Sequence, residues 1–161
     1  MAWTQGPFLG FDTETTGVNT STDRIVTAAL ITRMGGVTTE RTWLLNPGVE
    51  IPVEASNIHG VTTAHAREHG QDPATGLDEI ASALAAHMTG GHPVVAFNAT
   101  FDVSILDAEL ARYGLPTMAQ RVPGGWSPVI DPLVLDRAVD RYRRGKRKLV
   151  DLCAHYGVDE T

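Results

Sequence analysis

The chain has 161 residues, 42% of them apolar, one cysteine and a formal net charge of -6. That length supports a single domain with its own core, one cysteine excludes an internal disulfide framework, and the acidic balance argues against a surface that grips nucleic acid everywhere. No apolar run reaches the length of a membrane span, and the N-terminus MAWTQGPF has neither the basic nor the apolar segment of a secretion signal, so a cytoplasmic protein without a membrane partner is expected.

In chain order, strands are expected at 7–12, 24–34 (RIVTAALITRM) and 37–45 (VTTERTWLL), with Gly35 and Gly36 as the hairpin turn between the last two. The first strand runs into FDTETTG, residues 11–17. Residues two apart on a strand share a face, so Asp12 and Glu14 project side by side while Phe11 and Thr13 turn the other way. Adjacent carboxylates repel, and each raises the other's pKa unless a positive charge lies between them. A hard divalent cation such as magnesium or manganese would settle the pair. An isolated Asp-x-Glu at a strand end is more often simply solvated.

Beyond the hairpin the pattern changes to helical spacing: Leu77, Ile80, Ala81, Leu84, Ala85 and Met88 make one apolar stripe, closed by Gly90 and Gly91. HPVVAF then reads as a short strand covered on both faces. It leads into FNATFD, residues 97–102, which opens a helix from about Thr100 to Tyr113. Asp102 falls in that helix's first turn, on the stripe of Ile105, Leu106 and Glu109, and if the two strands are neighbours it faces the crevice of Asp12 and Glu14. An acid there also complements the helix dipole, and Asn98 or Thr100 could serve as a cap. SPVID gives a last strand, and helices near 132–142 and 147–156 complete an α/β domain of three layers around a mixed five-stranded sheet. Cys153, in LVDLCAHY, reads as a small buried apolar residue.

The segment RYRRGKRK, residues 141–148, carries six of the 13 basic residues and no acid. A partner touching only that stretch meets a positive surface on an otherwise acidic protein. Arg143, Arg144, Lys146 and Arg147 are therefore candidate contacts to a phosphate backbone, blind to sequence and weakened by salt.

Together, FDTETTG and FNATFD resemble the first and second motifs of the DnaQ-like 3'-5' exonucleases of the DEDD group, the family that includes the proofreading subunit of bacterial replicative polymerase. IHGVT (58–62) and LVDLCAHYGV (149–158) resemble two further family segments in the same order. The resemblance implies a ribonuclease H-like fold and hydrolysis of single-stranded DNA from its 3' end to nucleoside monophosphates, with RNA as the alternative substrate and a DNA polymerase as an expected associate. It implies Asp12, Glu14 and Asp102 as ligands of two Mg2+ or Mn2+ ions. It also places Thr13, Thr15, Thr16 and Val18 against the terminal nucleotide, with His59, Asn98 and Phe101 completing the pocket. The chemistry suits those roles: two ions about 3.5–4 Å apart can activate a water and stabilise the departing oxygen of a phosphodiester, and carboxylates must hold them.

The family's third motif, a histidine base followed by a fourth metal-binding aspartate, lies beyond LVDLCAHYGV, and the chain stops at Thr161. His155 with Asp159 or Glu160 does not replace it, because Gly157 should end the helix between them. The chain is expected to be one exonuclease domain, 1–161, lacking its C-terminal helix, a fragment rather than an inactive relative kept for binding. Self-association through the apolar surface so uncovered is expected.

Overall fold

Alternation of apolar and polar residues builds the first strand, and in the computed structural model, which describes residues 3–159, it carries the chain further than expected. Strand β1 spans Phe8–Thr15: Leu9, Phe11 and Thr13 are buried against the main core, while Asp12 and Glu14 face the other way. The carboxylates thus lie within the strand. Glu14 still pairs opposite Thr27 of β2, Ile25–Met34, and the register slips only between Glu14 and Thr15. Strand β3, Val37–Leu44, returns antiparallel to β2 through Gly35 and Gly36, both at positive φ (57° and 79°), as a two-residue hairpin turn requires. Strands β4, Val94–Val95, and β5, Val129–Ile130, add parallel on the other side, giving the order β3-β2-β1-β4-β5.

Among the described residues, seven α-helices surround the sheet: α1 Val53–His59, α2 Thr63–His69, α3 Pro73–Thr89, α4 Ala99–Arg112, α5 Met118–Arg121, α6 Pro132–Val139 and α7 Leu149–Tyr156. The apolar stripe of α3 and Ile105, Leu106 and Leu110 of α4 pack with Leu9, Phe11 and Leu30 into one core. Each of these large side chains contributes roughly 1.5–3 kcal/mol by leaving water. A smaller cluster of Val26, Ile51, Ala55 and Ala66 seats α1 and α2.

Several bounds differ from expectation for local reasons. Helix α3 begins at Pro73 rather than Leu77, because the Asp72 carboxylate accepts from Thr75 N at 3.0 Å and proline suits the first helical position. HPVVAF contributes only two paired residues, since β4 meets β1 at Leu9 and Gly10 alone. Helices α1 and α2 were not expected: each buries a single alanine, so neither carries an apolar stripe that periodicity could reveal. Gly157, at φ 65°, ends α7 just after His155 as anticipated, whereas Cys153 is only half-buried.

Candidate active site

The strand geometry decides where Asp102 meets β1. Leu9 N donates to Pro93 O on the β4 side, so by the strand's two-residue alternation Thr13 N points to the same side. Strand β4 has stopped by then, and the first turn of α4 takes its place: Asp102 Oδ1 accepts from Thr13 N at 3.1 Å and from Thr13 Oγ1 at 2.7 Å. Asp102 is 4% exposed. It sits at the edge of β1, next to a strand residue whose two neighbours are Asp12 and Glu14.

The turn from β4 into α4 depends on Asn98, whose backbone is left-handed (φ 57°, ψ 49°), an unusual state for a residue with a Cβ. Asp131 holds it there: its carboxylate accepts from Asn98 N (3.0 Å) and Ala99 N (2.9 Å) while also capping α6 through Leu133 N (2.9 Å). Asp131 escaped the sequence reading, although an aspartate before Pro132 at a strand-to-helix junction is a recognisable cap signal.

All three carboxyl groups are pushed up from the ordinary range. For Asp12, which keeps solvent access, the sheet removes part of its hydration, opposed by a hydrogen bond from the Thr13 main chain. For Glu14 the causes are burial and the charge of Asp12, with His59 pulling the other way. Asp102 is raised to about 6 by burial, offset by the Thr13 hydroxyl and raised further by Asp12. None of the three has an ion-pair partner among the described residues. Among those residues, no group of three His, Cys, Asp or Glu side chains stands close enough, as arranged, to hold an ion. The donor chemistry nonetheless fits a hard divalent cation: the charge of Asp12 raises both Glu14 and Asp102, and carboxylate oxygens that repel one another without an ion-pair partner are the donors such a cation takes.

Beside Glu14 opens a crevice of about 520 Å³, and all seven positions expected to contact a nucleotide line it: Thr13, Thr15, Thr16, Val18, His59, Asn98 and Phe101. Its far wall is α1 with its capping Pro52, and the helix adds Glu54, Ala55 and Ile58. Thr15 Oγ1 donates to Gly17 O (2.7 Å), and Thr16 Oγ1 donates to Asp23 (2.9 Å) while accepting from Arg24 N (3.0 Å), so both hydroxyls shape the loop after β1. A Cβ on Gly17 would lie 2.6 Å from the Asp23 carboxylate, so any larger residue there would have to displace a group that accepts from Thr16 Oγ1 and Asn19 N. His59 Nδ1 accepts from Val61 N (3.2 Å), so the neutral ring carries its proton on Nε2, a buried donor with no protein partner among the described residues. Phe101 is wall and core at once. Val18, 90% exposed, and Ile58, 81% exposed, form apolar lips. Asp12 lines a neighbouring cavity of about 330 Å³ with His65.

The basic segment divides in two. Arg143 and Arg147 turn inward onto buried Asp136, which also accepts from Tyr156 Oη at 2.8 Å. Arg147 further donates to the carbonyls of Asp140 (2.6 Å) and Arg143 (3.1 Å). These two guanidinium groups hold α6, the loop and α7 together. Arg144 and Lys146 remain exposed.

A mixed sheet in the order 3-2-1-4-5, helices on its faces, and acidic residues on β1 and in the first turn of the helix that follows the adjacent β4 define a domain of the ribonuclease H-like class. The chain belongs to the exonuclease family RNase_T, of the DnaQ-like type, whose sequence profile matches residues 9–161. It is 30% identical over 138 residues to a DNA polymerase III of PolC type from Streptococcus sanguinis, covering 85% of this chain and 8% of that one. The PolC-type polymerase of Streptococcus pneumoniae is 30% identical over 160 residues, 98% of this chain and 10% of that one. Among solved structures, E. coli exonuclease I in complex with a dT13 oligonucleotide superposes with a TM-score of 0.77 at 20% identity, over 96% of this chain and 36% of that one. The chain therefore spans about a tenth of these polymerases and little more than a third of exonuclease I.

Proposed function

We propose that this domain is a metal-dependent 3'-5' exonuclease that releases nucleoside monophosphates from the ends of single-stranded DNA. One observation carries the reading: seven residues scattered from Thr13 to Phe101 in sequence line a single crevice that also contains Glu14. Asp12, Glu14 and Asp102 would hold Mg2+ or Mn2+, two ions, which when bound supply an activated water and charge stabilisation for the departing oxygen. Thr13 fixes the Asp102 carboxylate with two hydrogen bonds. The unpartnered Nε2–H of His59 offers a donor to the terminal nucleotide, and Phe101, Val18 and Ile58 bracket its base with apolar surface that accepts any sequence. DNA is favoured over RNA by the relatives, which are DNA polymerases and an exonuclease seen with a dT13 strand, and the same likeness supports a role beside a DNA polymerase.

The test is incubation of a 5'-labelled single-stranded DNA, and of the RNA of the same sequence, with the protein and manganese. A ladder shortening one nucleotide at a time from the 3' end on DNA, abolished in Asp12→Ala, supports the reading. Faster shortening of the RNA makes the domain an RNA exonuclease, and binding without shortening makes it a nucleic-acid-binding module.

A further inference from the structure

Pinning Arg143 and Arg147 inward changes the surroundings of the arginines beside them. The last turn of α6 and the loop that follows border an open surface cavity of about 610 Å³ lined by Arg137, Ala138, Arg141 and Arg147. Three arginines and one alanine thus border a single space, with the Arg147 guanidinium already bonded to Asp136 and to the carbonyls of Asp140 and Arg143. The nearby acids are already engaged: Asp136 with Arg143, Arg147 and Tyr156, and Asp140 with Arg143 (3.6 Å) and His155 (3.8 Å). Among the described residues neither Arg137 nor Arg141 has an ion-pair partner. Like charges gathered around a space repel unless an anion enters it, and the planar fork of arginine matches the paired oxygens of a phosphodiester.

Beside the cavity stands Tyr142, 87% exposed, with the Arg141 guanidinium 5.8 Å from its ring centre. An exposed aromatic ring next to a phosphate cradle is the pairing that single strands use, one element for the backbone and one for a base. The position suits a strand running out of the crevice. Helix α6 is capped by Asp131, which is bonded to Asn98 on the crevice wall, and Arg137 lies six residues beyond that cap, about 9 Å along the helix axis.

We propose that this arginine cavity, with Tyr142, is a second subsite that binds a backbone phosphate and the adjoining base of a single-stranded nucleic acid, upstream of the terminal nucleotide; it rests on the nuclease reading above. The contact falls on Arg137 and Arg141, while Arg147 forms the floor and keeps the loop closed.

Binding separates this from the nuclease reading. Fluorescence anisotropy of a labelled dT12 strand would be measured with Ca2+ in place of Mn2+, over a series of salt concentrations, for wild type, the double variant Arg137→Ala/Arg141→Ala and Tyr142→Ala. All three side chains are exposed, and circular dichroism verifies the fold. Expected are a decrease of about tenfold in dT12 affinity for each variant, and for the double variant a slope of log K against log salt shallower by about 0.7 for each phosphate that is no longer neutralised. Hydrolysis of p-nitrophenyl thymidine monophosphate, which cannot reach the cavity, should be unchanged. Wild-type affinity and slope in the variants overturn the subsite while leaving the nuclease reading intact. Failure of the wild-type protein to bind dT12 overturns both. Full displacement of dT12 by millimolar inorganic phosphate, with no effect of Tyr142→Ala, makes the cavity a site for free anions and also overturns the proposal.

Discussion

Metal-free protein should lose stability as the pH rises from 4 to 7, with Asp102 as the main cause. Its carboxyl is raised to about 6 by burial and by the charge of Asp12, against the stabilising bonds from Thr13. In the unfolded chain the same group releases its proton near the usual aspartate value of about 3.9. Between those values the folded state binds more protons than the unfolded one, so stability falls as the pH climbs through the window. Two pKa units correspond to about 3 kcal/mol, a sizeable share of the roughly 5–15 kcal/mol that typically holds a domain together. Asp102→Asn isolates this effect, because the amide keeps the shape and the Oδ1 acceptor for Thr13 but cannot ionise. Urea unfolding in EDTA should find the variant and wild type within about 1 kcal/mol at pH 4.5, and the variant more stable by about 2–3 kcal/mol at pH 8. Manganese at a hundredfold excess over its Kd should then return about 2.7 kcal/mol to the wild type and much less to the variant. Parallel pH profiles for the two proteins in EDTA would show that the crowded carboxylates store no such energy, and the physical case for a cation there would fail.

Two further predictions concern buried acids away from the crevice. Glu109, 1% exposed, accepts from Ile25 N (3.3 Å) and pairs with Arg112 and with Arg24 (3.7 Å). Glu109→Ala leaves both arginines without their shared partner and should cost about 3–5 kcal/mol in urea unfolding, with Glu109→Gln, which keeps the packing, costing less. Asp136 has the opposite sign to Asp102: burial would raise its pKa, but hydrogen bonds from Tyr156, Arg147 and Arg143 outweigh that and hold it below the ordinary range. Its contribution is therefore complete above pH 4 and lost as the pH falls through the depressed value, so Asp136→Asn should flatten the acid limb of the thermal-melting profile below pH 4.

The parts of the fold legible in the sequence are those whose own residues bury a regular face. The hairpin declared itself through two glycines between alternating strands, and α3 and α4 through apolar stripes that the core indeed covers. Helices α1 and α2 were illegible because Ala55 and Ala66 are all they bury, and they are held instead by end contacts. Thr62 caps α2 by accepting from His65 N (3.2 Å), and Thr63 accepts from Ile51 N (2.9 Å) on the segment leading into α1. A periodicity argument has no purchase on such helices. The crevice nevertheless owes its far wall to α1 and its capping Pro52, which supply five of its thirteen lining residues, and of these the sequence had singled out His59 alone.

For the site, the residue types were legible and their division of labour was not. Arg143, Arg144, Lys146 and Arg147 are equivalent as sequence, yet two of them are fixed by a buried aspartate seven and eleven residues away, and only the tertiary fold says which. The reverse holds for Asp102. Strand β4 is two residues long, and because it stops at Val95 the edge of β1 at Thr13 is left with an unpaired N–H. A buried N–H needs an acceptor, and the first turn of α4 supplies one only if Asn98 takes the left-handed turn that Asp131 secures. The backbone's demand for a hydrogen bond thus places the third carboxylate beside the first two. Their repulsion follows from that placement, since the charge of Asp12 raises both Glu14 and Asp102, and it is this repulsion that the proposed cation would relieve.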